Sequence, residues 1–358
     1  MGRSQQPPTA DLHARRPHRP RSRPPFQRHS EPRQRGRGER RRQLEAGSGD
    51  GGGGGVAGEI DVTLRCGLAA IIGAPNAGKS TLVNALVGQK VAIVSPKAQT
   101  TRARLMGIAI DGDTQLVLVD TPGIFEGKRR FDRAMVQAAW TGAHDADVIA
   151  LVVDAKGGIG PKVEAILTAL APRPEPKLLV LNKVDVADKG KLLRHAERLN
   201  ESLSFAETLM VSATTGDGVS DLKARLAARM PEGPWMFPAD QVSDATDRMV
   251  AAEVTREQLY LQLHAELPQA SAVETEQYLE RPDGSVEIHQ QILIERPSQR
   301  AIVLGKGGAR LKEIGSRARA ELANLLGAPV HLYLHVKVAP KWDEDRGLYR
   351  DIGLDWVD

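Results

Sequence analysis

Short uninterrupted apolar runs punctuate this chain, separated by stretches in which apolar residues recur every three or four positions. The runs at Leu68–Ile72, Leu116–Val119, 147–153 and Leu178–Leu181 have the pattern of strands covered on both faces. Helix-compatible segments between them, Ser80–Val87 among them, imply alternating βα units and a mostly parallel sheet with helices on both faces. One pair breaks the pattern: Leu105–Ile110 and Gln115–Val119 flank Asp111-Gly112, a hairpin signal that predicts an antiparallel pair. The rhythm changes after residue 231. Pro231–Pro238, PEGPWMFP, reads as a linker. Beyond it come a helix over Asp247–Leu267, strands at Ser271–Glu280 and Val286–Arg296 around the turn signal Asp283-Gly284, a helix, a loop, a helix over Arg310–Leu326, and a strand at Val330–Val338. The chain therefore divides into an α/β unit at 64–231, a linker at 232–244, an α+β unit at 245–341 and a C-terminal tail at 342–358.

Composition changes this picture at the N-terminus. Residues 1–45 hold thirteen arginines against Asp11, Glu31, Glu39 and Glu45, a local balance of +9. With the glycine run 51–55 and few apolar side chains, residues 1–58 lack the means to bury a core and are expected to be disordered. They read as a basic arm for RNA or anionic lipid, or as a dispensable extension; the prolines argue against a mitochondrial presequence. The rest of the chain carries 36 basic and 41 acidic residues, so its balance is −5. The single cysteine, Cys66, excludes an intramolecular disulfide framework and suits a reducing cytosol. No apolar run approaches the roughly 20 residues that a spanning helix needs.

The chemistry is concentrated at strand ends, where open sheets of this kind place ligands. Gly73-Ala74-Pro75-Asn76-Ala77-Gly78-Lys79-Ser80 is a G-x-x-x-x-G-K-S loop between an apolar strand and a helix that begins with Ser80-Thr81. Such a loop turns backbone N–H groups toward phosphate oxygens, with a helix N-terminus behind them. Lys79 supplies a charge to the outer phosphates, and the Ser80 hydroxyl can ligate Mg²⁺. Asp120-Thr121-Pro122-Gly123 follows the strand ending at Val119. Asp120 can hold Mg²⁺ through water, and the Gly123 N–H can meet a γ-phosphate. Asn182-Lys183-Val184-Asp185 follows Leu178–Leu181. The Asp185 carboxylate matches the paired donors of guanine, which adenine lacks, so GTP is favoured over ATP. Asn182 is expected at the other edge of the base, the Lys183 stem over the ring, and a backbone N–H of Ser212-Ala213-Thr214 at the guanine oxygen. The polar stretch 95–104 is expected to be a mobile loop in which Thr101, with Thr100 second, closes on Mg²⁺ and the γ-phosphate. Lys79, Thr101 and Gly123 would support the transition state. No catalytic base is assignable, and His144 and His195 read as surface or packing residues. Arg102 and Arg104 are weaker candidates for an internal arginine finger.

In the second unit, Gly305-Lys306-Gly307-Gly308 forms a G-x-x-G loop before the helix that carries Arg310 and Lys312. Glycines there allow a nucleic-acid backbone to approach. Residues 296–341 hold nine basic residues against Glu313 and Glu321, a footprint for a phosphate backbone in an otherwise acidic body.

Together, G-x-P-N-x-G-K-S, K-A-Q-T-T-R, D-T-P-G-I and N-K-x-D resemble the Era family of GTPases. The helix–strand–strand–helix–helix–strand unit resembles the KH domain that follows the GTPase domain in that family. The resemblance spans about residues 64–358 and implies a P-loop GTPase domain followed by a type II KH domain. It implies GTP/GDP and Mg²⁺ as ligands, and binding of the 3′ end of small-subunit (16S) ribosomal RNA during maturation of the small ribosomal subunit, without DNA. It also implies a cytoplasmic protein with weak peripheral contact at the inner membrane. Ile124 stands where Ras-type GTPases carry the water-orienting Gln, so slow intrinsic hydrolysis is expected. In some relatives the residue at the position of Asn76 helps hold K⁺; a structural role is the alternative. Ala77 stands where many relatives carry Val. The competing reading is a constitutive RNA-binding scaffold that uses GTP as a structural ligand. A GTPase of tRNA modification or ion transport fits the KH pattern less well.

Overall fold

The structure, a computed structural model, describes residues 63–357 apart from 98, 99, 103, 126, 128, 265 and 266. The segment 1–58, expected to be disordered, lies outside the described residues. The first unit holds β1 (Arg65–Gly73), β2 (Leu105–Asp111), β3 (Thr114–Asp120), β4 (Val148–Asp154), β5 (Lys177–Asn182) and β6 (Glu207–Val211) in the order β2-β3-β1-β4-β5-β6. β2 runs antiparallel to β3, and the remaining pairs are parallel.

Alternation along each strand separates two apolar layers. Ala69 and Ile71 of β1 face Leu82 and Leu86 of α1 (Lys79–Val87) and Leu222 and Leu226 of α5 (Val219–Ala227). Ala70 and Ile72 face Ala139 of α2 (Arg130–His144), Ile166 of α3 (Pro161–Leu170) and Leu199 of α4 (Lys189–Ser202). β4 divides in the same way, which explains why these strands are apolar at every position. The strand ends carrying Gly73, Asp120 and Asn182 therefore emerge side by side at one rim.

The second unit follows the order α6 (Asp247–Gln262), β7 (Ser271–Glu280), β8 (Val286–Ile294), α7 (Pro297–Leu304), α8 (Ala309–Leu326), β9 (Val330–Val338). β7 is antiparallel to β8, and β8 is parallel to β9. Leu259, Val303 and Ile314 from the three helices share a core with Ile292, Ile294 and Val336 of the sheet. α6 stops short of the expected Leu267, because the chain turns extended at Leu263. Two carbonyls at this end, those of Tyr260 and Leu263, accept hydrogen bonds from Lys97 of the first unit.

The stretch expected as a linker is stitched to the first unit. Leu64 O accepts from Gly233 N–H at 3.0 Å, and the fully buried Gln115 side chain takes the amides of Met236 and Phe237 at 2.9 and 3.0 Å. Farther along, Ile108 N–H donates to Val242 O and Met106 N–H to Asp244 Oδ1, each at 2.9 Å. The strap thus covers the open edge of β2.

The stretch expected as a tail is folded as well. α9 (Arg346–Asp351) and the turn before it bury Trp342, Leu348 and Tyr349 against Phe131 and Met135 of α2. Phe131 meets the Trp342 and Tyr349 rings edge-on, at centroid distances of 5.3 and 5.5 Å. These aromatics lie far apart in sequence and complete one cluster only across the two units, so local pattern could not join them.

Candidate functional site

The G-x-x-x-x-G-K-S loop turns between β1 and α1 as expected for a phosphate cradle. Gly78 has φ +92°, and a Cβ there would lie 2.3 Å from Asn182 Nδ2, so only glycine fits. Asn76 is also left-handed, with φ +65°, and its Nδ2 donates to Pro96 O at 3.3 Å. Lys79 is buried and donates to the carbonyls of Gly73 and Ala74, both at 3.2 Å. Burial pushes its amine down to about 8, with the Asp120 charge pulling the other way. Pro75, Ala74 and Ala77 complete the turn, with Ala77 packed into the core below it.

At the start of α1 three oxygens converge. Ser80 Oγ lies 2.8 Å from Thr101 Oγ1, and the two hydroxyls reach Asp120 Oδ2 at 2.8 and 2.9 Å. Of the two threonines, Thr101 is the one brought here. Thr100 instead presents its carbonyl to Arg256 of α6. Asp120 is fully buried, and its Oδ1 has no hydrogen-bond partner among the described residues. Burial raises its carboxyl pKa, against the pull of Lys79, Ser80 and Thr101. An orphaned carboxylate oxygen beside two hydroxyls is an all-oxygen set suited to a hard dication, so Ser80, Thr101 and Asp120 fit Mg²⁺. When bound there, the ion would supply charge neutralisation to the phosphates.

The loop after β3 is drawn under the phosphate cradle. Thr121 spends its hydroxyl on Ile71 O at 2.8 Å, Pro122 and Gly123 are buried, and Ile124 N–H donates to Gly73 O at 3.3 Å. The Ile124 side chain enters the core of Ala70, Ile72 and Ile149 and carries no polar group that could orient water.

The base end is braced from within. Asn182 spends one N–H on Ala77 O at 2.9 Å and accepts from Ala213 N–H at 3.0 Å, which leaves its second N–H for the base edge. Of the three amides expected at the guanine oxygen, that of Ala213 is thereby used and that of the fully buried Ser212 donates to Asp217 O, which leaves Thr214 as the candidate donor. Asn182 braces the phosphate loop against the Ser212–Thr214 turn. Lys183, left-handed at φ +67°, reaches back to Asn76 O at 2.7 Å and to Asp154 Oδ2 at 2.6 Å. Asp154 was not singled out from sequence; its signal is a carboxylate at the end of β4, level with the other strand-end motifs. Val184 packs into the core below, and Asp185 stands exposed on the rim.

Neither finger candidate points at the phosphates. Arg102 is buried and donates to Pro268 O and Gln269 O at 3.2 and 3.1 Å, and Arg104 pairs with Asp145 at 3.3 Å. The described part of the loop expected to be mobile is tied to the second unit. Besides Thr100 and Lys97, Val94 N–H donates to Glu257 Oε1 at 2.8 Å, and Lys90 pairs with Glu257 and Glu321.

In the second unit Gly305, Gly307 and Gly308 all have positive φ. Gly305, at φ 69° and ψ 179°, is in a region that other residues avoid, and a Cβ on it would lie 2.8 Å from Arg310 Cβ. Lys306, Gly307 and Lys312 are exposed, with the apolar side chain of Ile302 open beside them. Arg310 instead holds the loop, donating to Ile302 O at 2.9 Å.

Residues 68–183 match the family described as 50S ribosome-binding GTPase, and residues 266–343 match the KH domain family. GTPase Era of Erythrobacter litoralis is 61% identical over 297 residues, covering 82% of this chain and 98% of that protein. GTPase Era of Afipia carboxidovorans is 58% identical over 292 residues, covering 82% and 95%. Among solved structures, Aquifex aeolicus Era bound to GDP and AlF4⁻ superposes with a TM-score of 0.77 at 36% identity, covering 81% of this chain and 99% of that one. The same values hold for Era in complex with MgGDPNP and nucleotides 1506–1542 of 16S ribosomal RNA.

Proposed function

Because this chain belongs to the Era GTPase family, we propose that it is a GTP-hydrolysing switch on the 3′ end of small-subunit ribosomal RNA, assisting maturation of the small subunit. One observation carries the reading. The G-x-x-x-x-G-K-S loop with Ser80 and Asp120 beside it and an exposed G-x-x-G loop sit on one chain, and a solved Era that matches both units holds MgGDPNP together with 16S nucleotides 1506–1542. The 50S in the description of the GTPase family belongs to a match over residues 68–183 alone, and the solved Era complex with 16S nucleotides is what directs the reading to small-subunit RNA. Lys306 and Lys312 meet the RNA backbone, and Arg310 shapes the loop. Asp185 selects guanine. Lys79, Thr101 and Gly123 stabilise charge on the transferred phosphoryl group. Intrinsic turnover is slow, because Ile124 cannot orient water. The Asn76 amide nitrogen is committed to Pro96, which leaves its carbonyl oxygen as the atom to meet K⁺.

Among the described residues no helix is long and apolar enough to cross a membrane. A cytoplasmic location with peripheral contact at the inner membrane rests on the family resemblance.

The test is GTP hydrolysis by the full chain with and without an oligonucleotide of the small-subunit rRNA 3′ end, beside a Gly305→Asp, Gly308→Asp double variant. RNA is expected to raise turnover several-fold, and the double variant to abolish the rise while keeping basal turnover. If hydrolysis ignores RNA while the variant still loses RNA binding, the scaffold reading replaces the switch.

A further inference from the structure

We propose that Arg102 is a positioning residue: it sets Thr101 at the metal-binding corner according to how the KH unit is seated. Three consecutive residues carry the argument. Thr101 points to Ser80 and Asp120. On either side of it the chain is held by the other unit, through Arg256 on the carbonyl of Thr100 and through the Arg102 side chain.

Arg102 is where three separated parts of the molecule meet. Its Nη2 donates to Pro268 O and Gln269 O, at the entry to β7. Its guanidinium lies 5.4 Å from the Phe131 ring of α2 and 5.4 Å from the Trp342 ring of the C-terminal segment. The side chain is only 6% exposed. A buried guanidinium that loses its acceptors is costly, so movement of the KH unit either carries Arg102 along or strands it. Consecutive Cα atoms are about 3.8 Å apart, which leaves Thr101 little freedom to stay behind. The seat has room to shift: a cavity of about 360 Å³ between the units is lined by Thr101, Arg102, Met249 and Val273.

Thr101 is the loop residue aimed at the metal and the γ-phosphate, so its placement separates triphosphate from diphosphate. Arg102 therefore governs nucleotide preference without touching nucleotide. By linkage, the factor by which reseating the KH unit changes that preference is the factor by which exchange of GDP for GTP changes the seating equilibrium. The inference rests on the GTPase site and not on the RNA reading.

The test uses full-length Arg102→Met and Arg102→Lys beside Arg129→Ala. Arg129 makes a cross-unit ion pair with Glu295 at 3.0 Å and does not touch residues 100–102. Affinities for fluorescent GDP and for a non-hydrolysable fluorescent GTP analogue are titrated, and amide exchange is followed at 100–105 and 268–272 without nucleotide. Both Arg102 variants are expected to lose about tenfold in analogue affinity with GDP affinity unchanged, and to exchange faster in both segments. Lysine does not rescue, because an ammonium cannot present a plane to two rings. Arg129→Ala leaves the preference intact. Equal loss for both nucleotides, an unchanged analogue affinity, or the same selective loss in Arg129→Ala overturns the assignment. No RNA enters the experiment, so failure of the RNA reading would show separately.

Discussion

The two ends of the nucleotide site are held in different ways. At the guanine end every support comes from the first unit: Asn182 ties the phosphate loop to the Ser212–Thr214 turn, and Lys183 is fixed by Asn76 and Asp154. At the metal end the ligand-bearing Thr101 sits between two residues gripped by the KH unit. The base end is therefore a fixture of the GTPase domain, whereas the end proposed to distinguish GTP from GDP is shared property of both domains. A switch needs this division. Recognition of guanine has to stay constant while the response to the γ-phosphate is passed on.

The sharpest way to isolate the guanine end is Asp185→Asn. The carboxylate is exposed on the rim, and in the proposed reading it meets the paired donors of guanine, which an amide cannot match. GTP affinity should fall by on the order of 10⁴-fold, with xanthosine triphosphate accepted instead, as read by competition against labelled nucleotide. Analogue-over-diphosphate preference, measured with xanthosine nucleotides, should stay at the wild-type value. A changed preference would mean that the two ends are not separable.

The difference between the ends also marks what sequence can and cannot show. Lys79, Ser80, Asp120 and Asp185 announced themselves through spacing after an apolar strand, since motif and strand are local, whereas Asp154 at the end of β4 did not. Sequence prefers Thr101 to Thr100, and the anchoring of the loop explains the order: the Thr100 carbonyl is held by Arg256 while the Thr101 hydroxyl turns to Ser80 and Asp120. The Ala213 amide, one of three expected at the base, bonds to Asn182 instead, because β5 and β6 are neighbours in the sheet. Arg102 looked like a candidate finger because its acceptors, the carbonyls of Pro268 and Gln269, carry no side-chain signature. The strap at 232–244 shows the same limit. Its prolines correctly forbid a helix, but the capture of two of its amides by Gln115 depends on the finished sheet.

Lys79 lies between the two ends and gives a pH test of both. Its folded pKa of about 8 is below the ordinary value of 10.5. Below pH 8 both folded and unfolded chains carry the charge, so the burial penalty is present in full. Between about 8 and 10.5 the unfolded chain holds the extra proton, and the stability of the nucleotide-free protein rises with pH. Phosphate restores the charged form, so nucleotide binding above pH 8 takes up a proton. Affinity should fall about tenfold per pH unit there, equally for GDP and the GTP analogue, and calorimetry in buffers of different ionisation enthalpy should register the uptake. A loss confined to one nucleotide would place the titrating group at the metal end instead.

The smallest expected effect is the most direct counterpart to Arg102. Burial alone would raise the Asp154 carboxyl pKa, but the Lys183 ammonium and the Gly157 and Lys156 amides outweigh it and hold it below the ordinary range. Its contribution is therefore complete at neutral pH and is lost only as pH falls through that lowered value. Asp154→Asn removes the charge while keeping an acceptor of the same shape. The pair is partly exposed, at 28% for Asp154 and 33% for Lys183, so about 1 kcal/mol is at stake, or roughly fivefold in nucleotide dissociation rate. Because Lys183 serves the base end, release of GDP and of the GTP analogue should accelerate by the same factor, with amide exchange at 100–105 unchanged. Selective release of the analogue would show that the base end also reports on the γ-phosphate, and the division between a fixed end and a shared end would fail.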